Sequence, residues 1–412
     1  MTQQTFNRRE VITALTATAA LPWLLPINQA FAAADVTQNT PAADNRALAL
    51  LDQCAEHLLS LFPESATSLG VDNDSRAALR SQLTDRSLAG QKRIADQLRN
   101  DLASLQAFDS SSLSPSMRTS MAVVQSAYTT SLEGFALPYG DPTVGSWRNT
   151  PYVVIQNVGA YLDIPRFLDS DHLINNAADA EAYLARLESY AVQLDGELGR
   201  IRAARELGLV PPAFLLDKAI SQITVSLENA RQGGSMVESI TRRTANIPGD
   251  WSARAKSISV QKIAPALERQ LAELQAEKSV ASNDPGISAR PHGETWYQWA
   301  LKASTTTTMS PDEIHQLGRN ELRELHGRMD AILKDIGYSQ GSVGARMTAL
   351  ASDPEYQFAE GDPGRTEIMA FIQQQLQWIK AQMPRAFNTL VDPNMEVKRL
   401  PPEEEPGAPG AY

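Results

Sequence analysis

The chain contains five histidines, which are common zinc ligands: His57, His172, His292, His315 and His326. No pair of them forms a His-Glu-x-x-His sequence, the spacing that turns two imidazoles on one helix towards a single zinc ion. His315 and His326 lie on one predicted helix, but their separation corresponds to about 16 Å of helix rise, which is too far for one ion. The sequence therefore assigns no metal ligand.

Two shorter patterns imitate catalytic motifs without their structural context. His292-Gly293-Glu294 resembles the His-x-Glu of zinc deaminases, which also require a Cys-x-x-Cys pair, and this chain has one cysteine, Cys54. The segment 337–341 matches the G-x-S-x-G of a hydrolase nucleophile elbow. That elbow needs a strand before the serine, whereas a helix is predicted here. We interpret the segment as a helix end and loop.

Composition excludes further classes of protein. The net charge is -11 and no basic block is present, which argues against binding a nucleic-acid backbone, because phosphate affinity depends on clustered Lys and Arg. A single cysteine excludes an intramolecular disulfide framework. With Leu51, Leu58 and Leu61 at helical spacing from it, Cys54 is predicted to be a small core residue.

The spacing of apolar residues predicts an all-α fold, a multi-helix array or bundle. Apolar residues recur every three or four positions, and helix start and stop signals bound the stripes. The predicted helices include about 86–107, one starting at Ser114-Pro115, one through Tyr183 to Ile201, 213–231, 252–276 with a kink at Pro265, one starting at Ser310-Pro311, and about 364–383. Short β segments are predicted near 395–400 and 408–412.

The first residues are predicted to be a targeting segment rather than part of the fold. Arg8 and Arg9 precede a modest apolar run, and Ala30-Phe31-Ala32 offers a small-x-small cleavage site, as in a twin-arginine export signal. Prolines interrupt the run, which is shorter than the roughly 20 residues of a spanning helix. We therefore expect a signal over 1–33, a linker over 34–44 and a helical domain over 45–412. The expected location is periplasmic or secreted, with the twin-arginine translocation machinery as a partner.

Five stretches of the mature sequence match a known pattern in order and spacing: Phe62–Gly70, Tyr183–Leu187, Gly293–Tyr297, Ser310–Gly318 and Ala408–Tyr412. Together they resemble the bacterial family called domain of unknown function 885. The resemblance implies a helical, zinc-dependent, peptidase-like hydrolase related to the gluzincins. In that family a His-Glu-x-x-His helix follows a strand that begins Ala-Tyr-Tyr, and its glutamate acts as general base on zinc-bound water.

This sequence stops before such a helix, so the resemblance carries over no catalytic residue. We expect the chain to be the N-terminal part of a longer protein, with zinc present only in the full-length protein. The resemblance places the strand beginning at Gly410, Ala411 and Tyr412 at the edge of a substrate cleft. The region 138–165, rich in proline, glycine and aromatic residues, is interpreted either as a functional connection or as a structural loop packed over helices. Its candidates for lining the cleft are Trp147, Asn149 and Tyr152.

Two functions follow from these observations. The first is the N-terminal helical part of an exported zinc metallopeptidase-like hydrolase, inactive by itself, with a peptide as the substrate of the full-length protein. The alternative is a complete, non-catalytic periplasmic helical protein that binds a peptide or a cell-envelope partner through region 138–165. If helices of this chain are built to pack against a catalytic part, their apolar faces should lie open.

Overall fold

The computed structural model describes residues 42–145, 148–390 and Val397. Within those residues the protein is almost wholly helical, which confirms the all-α class. The β segments predicted near 395–400 and 408–412 lie outside the described residues, apart from Val397. The chain divides into two compact units with the boundary between Pro311 and Asp312, where the sequence suggested one helical domain. The first helix begins at Ala42, within the segment predicted to be a linker.

Eleven α-helices of the first unit are described. In chain order they are α1 (Ala42–Leu61), α2 (Pro63–Ser68), α3 (Leu88–Ala107), α4 (Pro115–Phe135), α5 (Ala160–Ser170), α6 (Ala177–Glu206), α7 (Ala213–Gln232), α8 (Gly234–Arg243), α9 (Trp251–Ile258), α10 (Ala264–Lys278) and α11 (Gly293–Thr305). A 3-10 turn at Asp74–Ser81 follows α2, another at Ile287–Ala289 precedes α11, and a π turn at Ser259–Ile263 joins α9 to α10.

Local capping residues explain where several of these helices begin. Ser114 precedes Pro115, and its hydroxyl accepts a hydrogen bond from the Met117 amide at 3.3 Å. Ser87 caps α3 in the same way through the Gly90 amide at 3.1 Å. Such side-chain oxygens satisfy amides that have no partner within the first turn. The predicted starts at Ser114-Pro115 and near residue 86 are therefore confirmed.

Helix α6 is the centre of the first unit. Its buried positions occur in adjacent pairs, such as Tyr183 with Leu184 and Tyr190 with Ala191. An apolar face this wide belongs to a helix that is enclosed by neighbours rather than lying on one. Helices α5, α7, α8, α9 and α10 share the resulting core. The longest apolar stripe of the sequence is thus the main packing surface.

A row of ion pairs joins α6 to the continuous helix formed by α9, the π turn and α10. The acidic partners lie on α6 at seven-residue intervals, and the pairs are Glu181–Arg254, Glu188–Lys262 and Asp195–Arg269. Because both sets of residue numbers rise together, the two helices run in the same direction. The side chains are substantially exposed, so each pair adds little stability, but together they specify how the helices align.

Pro265 accounts for the π turn. Proline lacks an amide hydrogen, and its ring collides with the carbonyl group four residues earlier, so a regular α-helix cannot continue through it. The chain widens over Ser259–Ile263 instead, as π turns inside α-helices do. The disturbance predicted as a kink at Pro265 is therefore a π turn, which shifts the hydrogen-bond register of the helix before the proline. Ser259, which is fully buried, donates its hydroxyl to the Ala230 carbonyl of α7 at 2.8 Å.

A second core lies between α1, α3 and α4. Leu98 and Leu105 of α3 are fully buried there, beside Tyr128 of α4. Cys54 of α1 belongs to the same cluster and is 3% exposed, which confirms its predicted place in the core. Burial raises the pKa of its thiol to about 12. The thiol is therefore protonated at neutral pH and is a poor nucleophile.

Helix α8 was not predicted, because Gly233 and Gly234 suggested a break. Both glycines have positive φ angles, 104° and 57°, and a Cβ atom on Gly234 would lie 2.7 Å from the Asn229 carbonyl oxygen. These glycines allow a tight turn directly between two helices. The apolar spacing of Met236, Val237 and Ile240, all buried, was the available signal for the helix.

The second unit contains α12 (Pro311–Asp335), α13 (Val343–Ala351) and α14 (Gly361–Gln382), with 3-10 turns at Pro354–Tyr356 and Met383–Arg385. The predicted start at Ser310-Pro311 is confirmed. Arg346 of α13 is 4% exposed and forms an ion pair with Asp330 of α12. The Phe358 and Phe371 rings lie 5.8 Å apart. These contacts join α12 to α13 and the segment before α14 to α14.

Candidate functional site

Of the three cleft residues predicted in the connection over 138–165, the structure describes two, Asn149 and Tyr152. The Asn149 side-chain oxygen accepts a hydrogen bond from the Thr143 amide at 2.8 Å, beside an antiparallel bridge between Asp141 and Thr150. Tyr152 is 7% exposed, and its hydroxyl accepts a hydrogen bond from Arg290 Nε at 3.3 Å. Both side chains thus hold the connection in place. Trp147, Gly410, Ala411 and Tyr412 lie outside the described residues, as do Arg8, Arg9, Ala30 and Ala32.

Buried charges of α6 fasten both ends of this connection. Arg200 donates to the Gly140 carbonyl at 2.9 Å and to the Asp141 carboxylate at 2.6 Å. The Glu197 carboxylate accepts from the Ala160 amide at 2.8 Å and pairs with Arg86 at 3.0 Å. These contacts replace the backbone partners that an irregular segment lacks. The described part of the connection is therefore packed over helices, as the structural interpretation expects.

Aromatic rings fill the space between this connection and α11. Tyr139, Tyr152, Trp296 and Trp299 share one apolar cluster with Leu209. The two indoles meet edge to face with ring centres 5.4 Å apart, a favourable geometry for aromatic pairs. The Tyr139 hydroxyl donates to the Pro291 carbonyl. Helix α11 is thus attached to the connection through aromatic packing.

Two glutamates of α10 lie near this cluster and differ in their partners. Glu273 forms ion pairs with Arg202 and Arg205, each at 2.8 Å. Glu277 is 2% exposed, and its Oε2 has no hydrogen-bond partner within the described structure. Burial, reinforced by the negative charge of Glu273, raises the pKa of Glu277 to about 8. Glu277 therefore holds a proton at neutral pH and can act as a hydrogen-bond donor.

The sequence contained a signal for this buried acid. Ile263, Leu267, Gln270, Leu274 and Glu277 follow one another at alternating intervals of four and three residues, and all five are buried. Glu277 thus continues an apolar stripe, which marks a polar side chain that faces the core. The residue type alone did not indicate burial, because most glutamates are exposed.

Replacement of Glu277 by glutamine should alter the pH dependence of stability. The ordinary pKa of 4.5 applies in the unfolded chain and about 8 in the folded one, so wild-type stability falls as the pH rises through this window. Glutamine has no proton to release. We expect Glu277→Gln to be more stable than wild type by on the order of 4 kcal/mol at pH 8 and about equal at pH 4.5.

Urea unfolding at both pH values measures this difference. Glu206→Gln is the matched control, since Glu206 is exposed at the end of α6, and its stability should follow wild type at both values. Equal pH dependence of Glu277→Gln and wild type would show that Glu277 is ionised in the folded protein.

A second buried polar cluster surrounds Arg186 of α6, which is fully buried. Its guanidinium donates to the Gln82 carbonyl at 2.9 Å, the Leu79 carbonyl at 3.1 Å and the Thr67 hydroxyl at 2.7 Å. It also lies 2.7 Å from His172 Nδ1. All of these acceptors are neutral groups, and they come from three different segments. The cluster therefore fixes the turn Asp74–Ser81 against α6.

The contact with Arg186 determines the tautomer of His172. A guanidinium can only donate, so Nδ1 accepts and the imidazole proton is on Nε2, which donates to the Asp179 carbonyl at 3.0 Å. Burial lowers the pKa of His172 to about 4, and the positive charge of Arg186 acts in the same direction. His172 is therefore a neutral structural residue at physiological pH.

The described residues offer no donor set for a metal ion. No group of three or more His, Cys, Asp or Glu side chains among them is arranged to hold one. His315 and His326 are exposed on α12, and His172 is used by Arg186. No set of zinc ligands is therefore assigned among the described residues.

The second unit leaves two apolar helix faces open. Leu333 is the one large apolar side chain that its described residues bury. The exposed side chains of α12 and α14 include Leu322, Leu325, Ile332, Ile368, Phe371, Trp378 and Ile379, and Ile336, directly after α12, is exposed on the same side. We call these two surfaces the open faces. They show the exposure of apolar residues expected of helices that pack against a further part.

Among the described residues, no helix combines the length and the apolar character needed to cross a lipid bilayer. The apolar residues of the open faces alternate with polar ones on the same helices.

Comparison with known proteins identifies the family. Residues 63–412 match the model of a family described as "Bacterial protein of unknown function (DUF885)". The chain belongs to this family. The resemblance inferred from the sequence is thus confirmed for the DUF885 family itself. No curated protein matches this sequence.

Two solved structures are similar to this DUF885 member. One is "the putative lipoprotein from Colwellia psychrerythraea", with a TM-score of 0.80 and 23% identity, over 89% of this chain and 64% of that one. The other is "a putative lipoprotein of unknown function from Shewanella oneidensis", with a TM-score of 0.52 and 14% identity, over 86% of this chain and 59% of that one. The likeness establishes the fold. This chain spans less than two thirds of either structure.

Proposed function

We propose that this chain is the helical N-terminal part of an exported zinc metallopeptidase-like hydrolase and that it is inactive without the part that binds zinc. The full-length protein would act on a peptide in the periplasm or outside the cell, after export through the twin-arginine machinery. Membership of the DUF885 family supports this proposal together with the resemblance to gluzincin relatives. The description of the Colwellia protein as a lipoprotein fits a location outside the cytoplasm.

The observation that carries the proposal is the pair of open faces in the second unit. A large apolar side chain in water forfeits roughly 1.5 to 3 kcal/mol compared with full burial. Eight such side chains, each only partly exposed, still represent an energy comparable to the total stability of a domain, about 5 to 15 kcal/mol. Helices with such faces are suited to support another part of a protein.

Zinc analysis and peptidase assays on the purified 412-residue chain test this function. We expect no stoichiometric zinc and no peptide hydrolysis. The coding sequence after Tyr412, translated in all three frames, should contain a His-Glu-x-x-His pattern. Hydrolysis by the 412-residue chain alone that a chelator abolishes would contradict the proposal. A stop codon followed by an unrelated gene would favour the alternative of a non-catalytic binding protein.

A further inference from the structure

The open faces have the geometry of helix-packing surfaces. On α12, Leu322, Leu325, Met329 and Ile332 follow at intervals of three and four residues, and Ile336, directly after the helix, continues this spacing. This spacing aligns them along one side of the helix, as in the contact seam of paired helices. Ile332 is 61% exposed. These residues are therefore spaced as in a helix–helix interface. The described residues of this unit do not cover them.

The face on α14 has the same character and is richer in aromatic residues. Ile368, Phe371, Trp378 and Ile379 lie at helical spacing, and Trp378 is 62% exposed. Aromatic residues at this density are typical of the buried centre of an interface. Exposed apolar residues of the first unit, such as Val192 and Leu173, occur singly, as on an ordinary surface.

The length of a solved relative bears on what could cover these faces. The Colwellia structure shares the fold over 89% of this chain, yet 36% of that longer chain has no counterpart in the match. A compact protein places its additional polypeptide against the shared part, and apolar faces are the most favourable surface for it. A second copy or a lipid surface would account equally for exposed apolar residues, but the relatives supply no argument for either.

We propose that the open faces of α12 and α14 are the docking surface for the part of the DUF885 fold that this chain does not span. Ile332 and Trp378 are the central contacts, because they are the most exposed large apolar residues of their helices. The inference rests on the proposed function in one respect, namely that the docked part would be the one that carries the zinc ligands.

A chimera tests this inference without requiring zinc or activity. The 412-residue chain is joined to the unmatched part of the Colwellia chain, in the order of that chain, so that docking is intramolecular and benefits from a high effective concentration. Amide hydrogen exchange of α12 and α14 is then compared between the chimera and the chain alone. We expect both helices to gain protection in the chimera, and binding of a hydrophobic dye to be lost.

Matched substitutions locate the surface. Ile332→Glu and Trp378→Glu should abolish the protection, while Val192→Glu and Leu173→Glu, at positions 64% and 66% exposed in the first unit, should leave it unchanged. A photoreactive amino acid at position 378 should cross-link to the added part, and one at position 192 should not. Dye binding by the chain alone should fall with Ile332→Glu and with Trp378→Glu.

Failure of the docking and failure of the function give different results. A chimera in which neither helix gains protection, or in which the control substitutions act as strongly as Ile332→Glu, would overturn the docking surface. Protection by an added part that has no affinity for zinc would overturn the proposed function and leave the docking surface intact. Equal cross-linking from positions 192 and 378 would also contradict the inference.

Discussion

Replacement of Arg186 by methionine is expected to lower the free energy of unfolding by about 3 kcal/mol or more, because four buried neutral acceptors lose their donor and each unsatisfied buried group costs about 1 to 3 kcal/mol. The arginine is fully buried and contacts two carbonyls, a hydroxyl and an imidazole nitrogen. Methionine fills much of the same volume but donates no hydrogen bond. The four acceptors would remain buried without their donor, which is the costly part of the change.

Urea unfolding of Arg186→Met measures this loss. The matched control is Arg231→Met on α7, because Arg231 forms an exposed ion pair with Glu268 at 2.9 Å. Exposed substitutions of this kind change stability by about 0.5 kcal/mol or less. Arg186→Lys should recover only part of the loss, since one ammonium cannot reach all four acceptors. Equal stability of Arg186→Met and Arg231→Met would show that the buried network contributes nothing.

Replacement of Gly134 by alanine should destabilise the attachment of α11 to α4. A Cβ atom at this position would lie 2.1 Å from the Trp299 ring, whose Nε1 donates to the Thr130 carbonyl at 2.8 Å. Overpacking of this kind costs about 1 to 3 kcal/mol, and we expect a loss near the upper end because the ring is also held by this hydrogen bond. The loss should exceed the gain of about 1 kcal/mol that alanine brings to a helix.

Gly199→Ala in α6 is the matched control. Gly199 is also helical, and a Cβ atom there would meet no other atom within 4 Å. This substitution should stabilise the protein by up to about 1 kcal/mol through helix propensity alone. The two variants are compared by thermal unfolding and by tryptophan fluorescence. Stabilisation by both alanines would mean that Trp299 does not approach Gly134 in solution.

Local features of the sequence predicted the helices well, because the signals lie within a few residues. Ser114-Pro115 and Ser310-Pro311 each combine a capping side chain with a proline suited to the first turn, and the structure begins helices there. Pro265 likewise predicted a local disturbance. Helix α8 was missed because Gly233 and Gly234 indicate a break equally well whether a loop or another helix follows.

The buried polar clusters could not be predicted in the same way. The acceptors around Arg186 come from Thr67, Leu79, Gln82 and His172, and nothing in the spacing of these residues indicates that they meet. Asn149 and Tyr152 were selected for their setting in an unusual connection, and the structure gives both a role in fixing that connection. Whether they also line a cleft stays a prediction.

The parallel alignment of α6 with α9 and α10 has a consequence for synthesis of the protein. The acidic residues of α6 meet basic partners that are 73 or 74 positions later in the chain. At about 5 to 20 residues per second, the ribosome needs several seconds to supply those partners. During that interval the side of α6 that packs against α9 and α10 has no permanent cover on the nascent chain. The central bundle therefore closes late, and cotranslational protection of α6 by a chaperone would matter most in this interval.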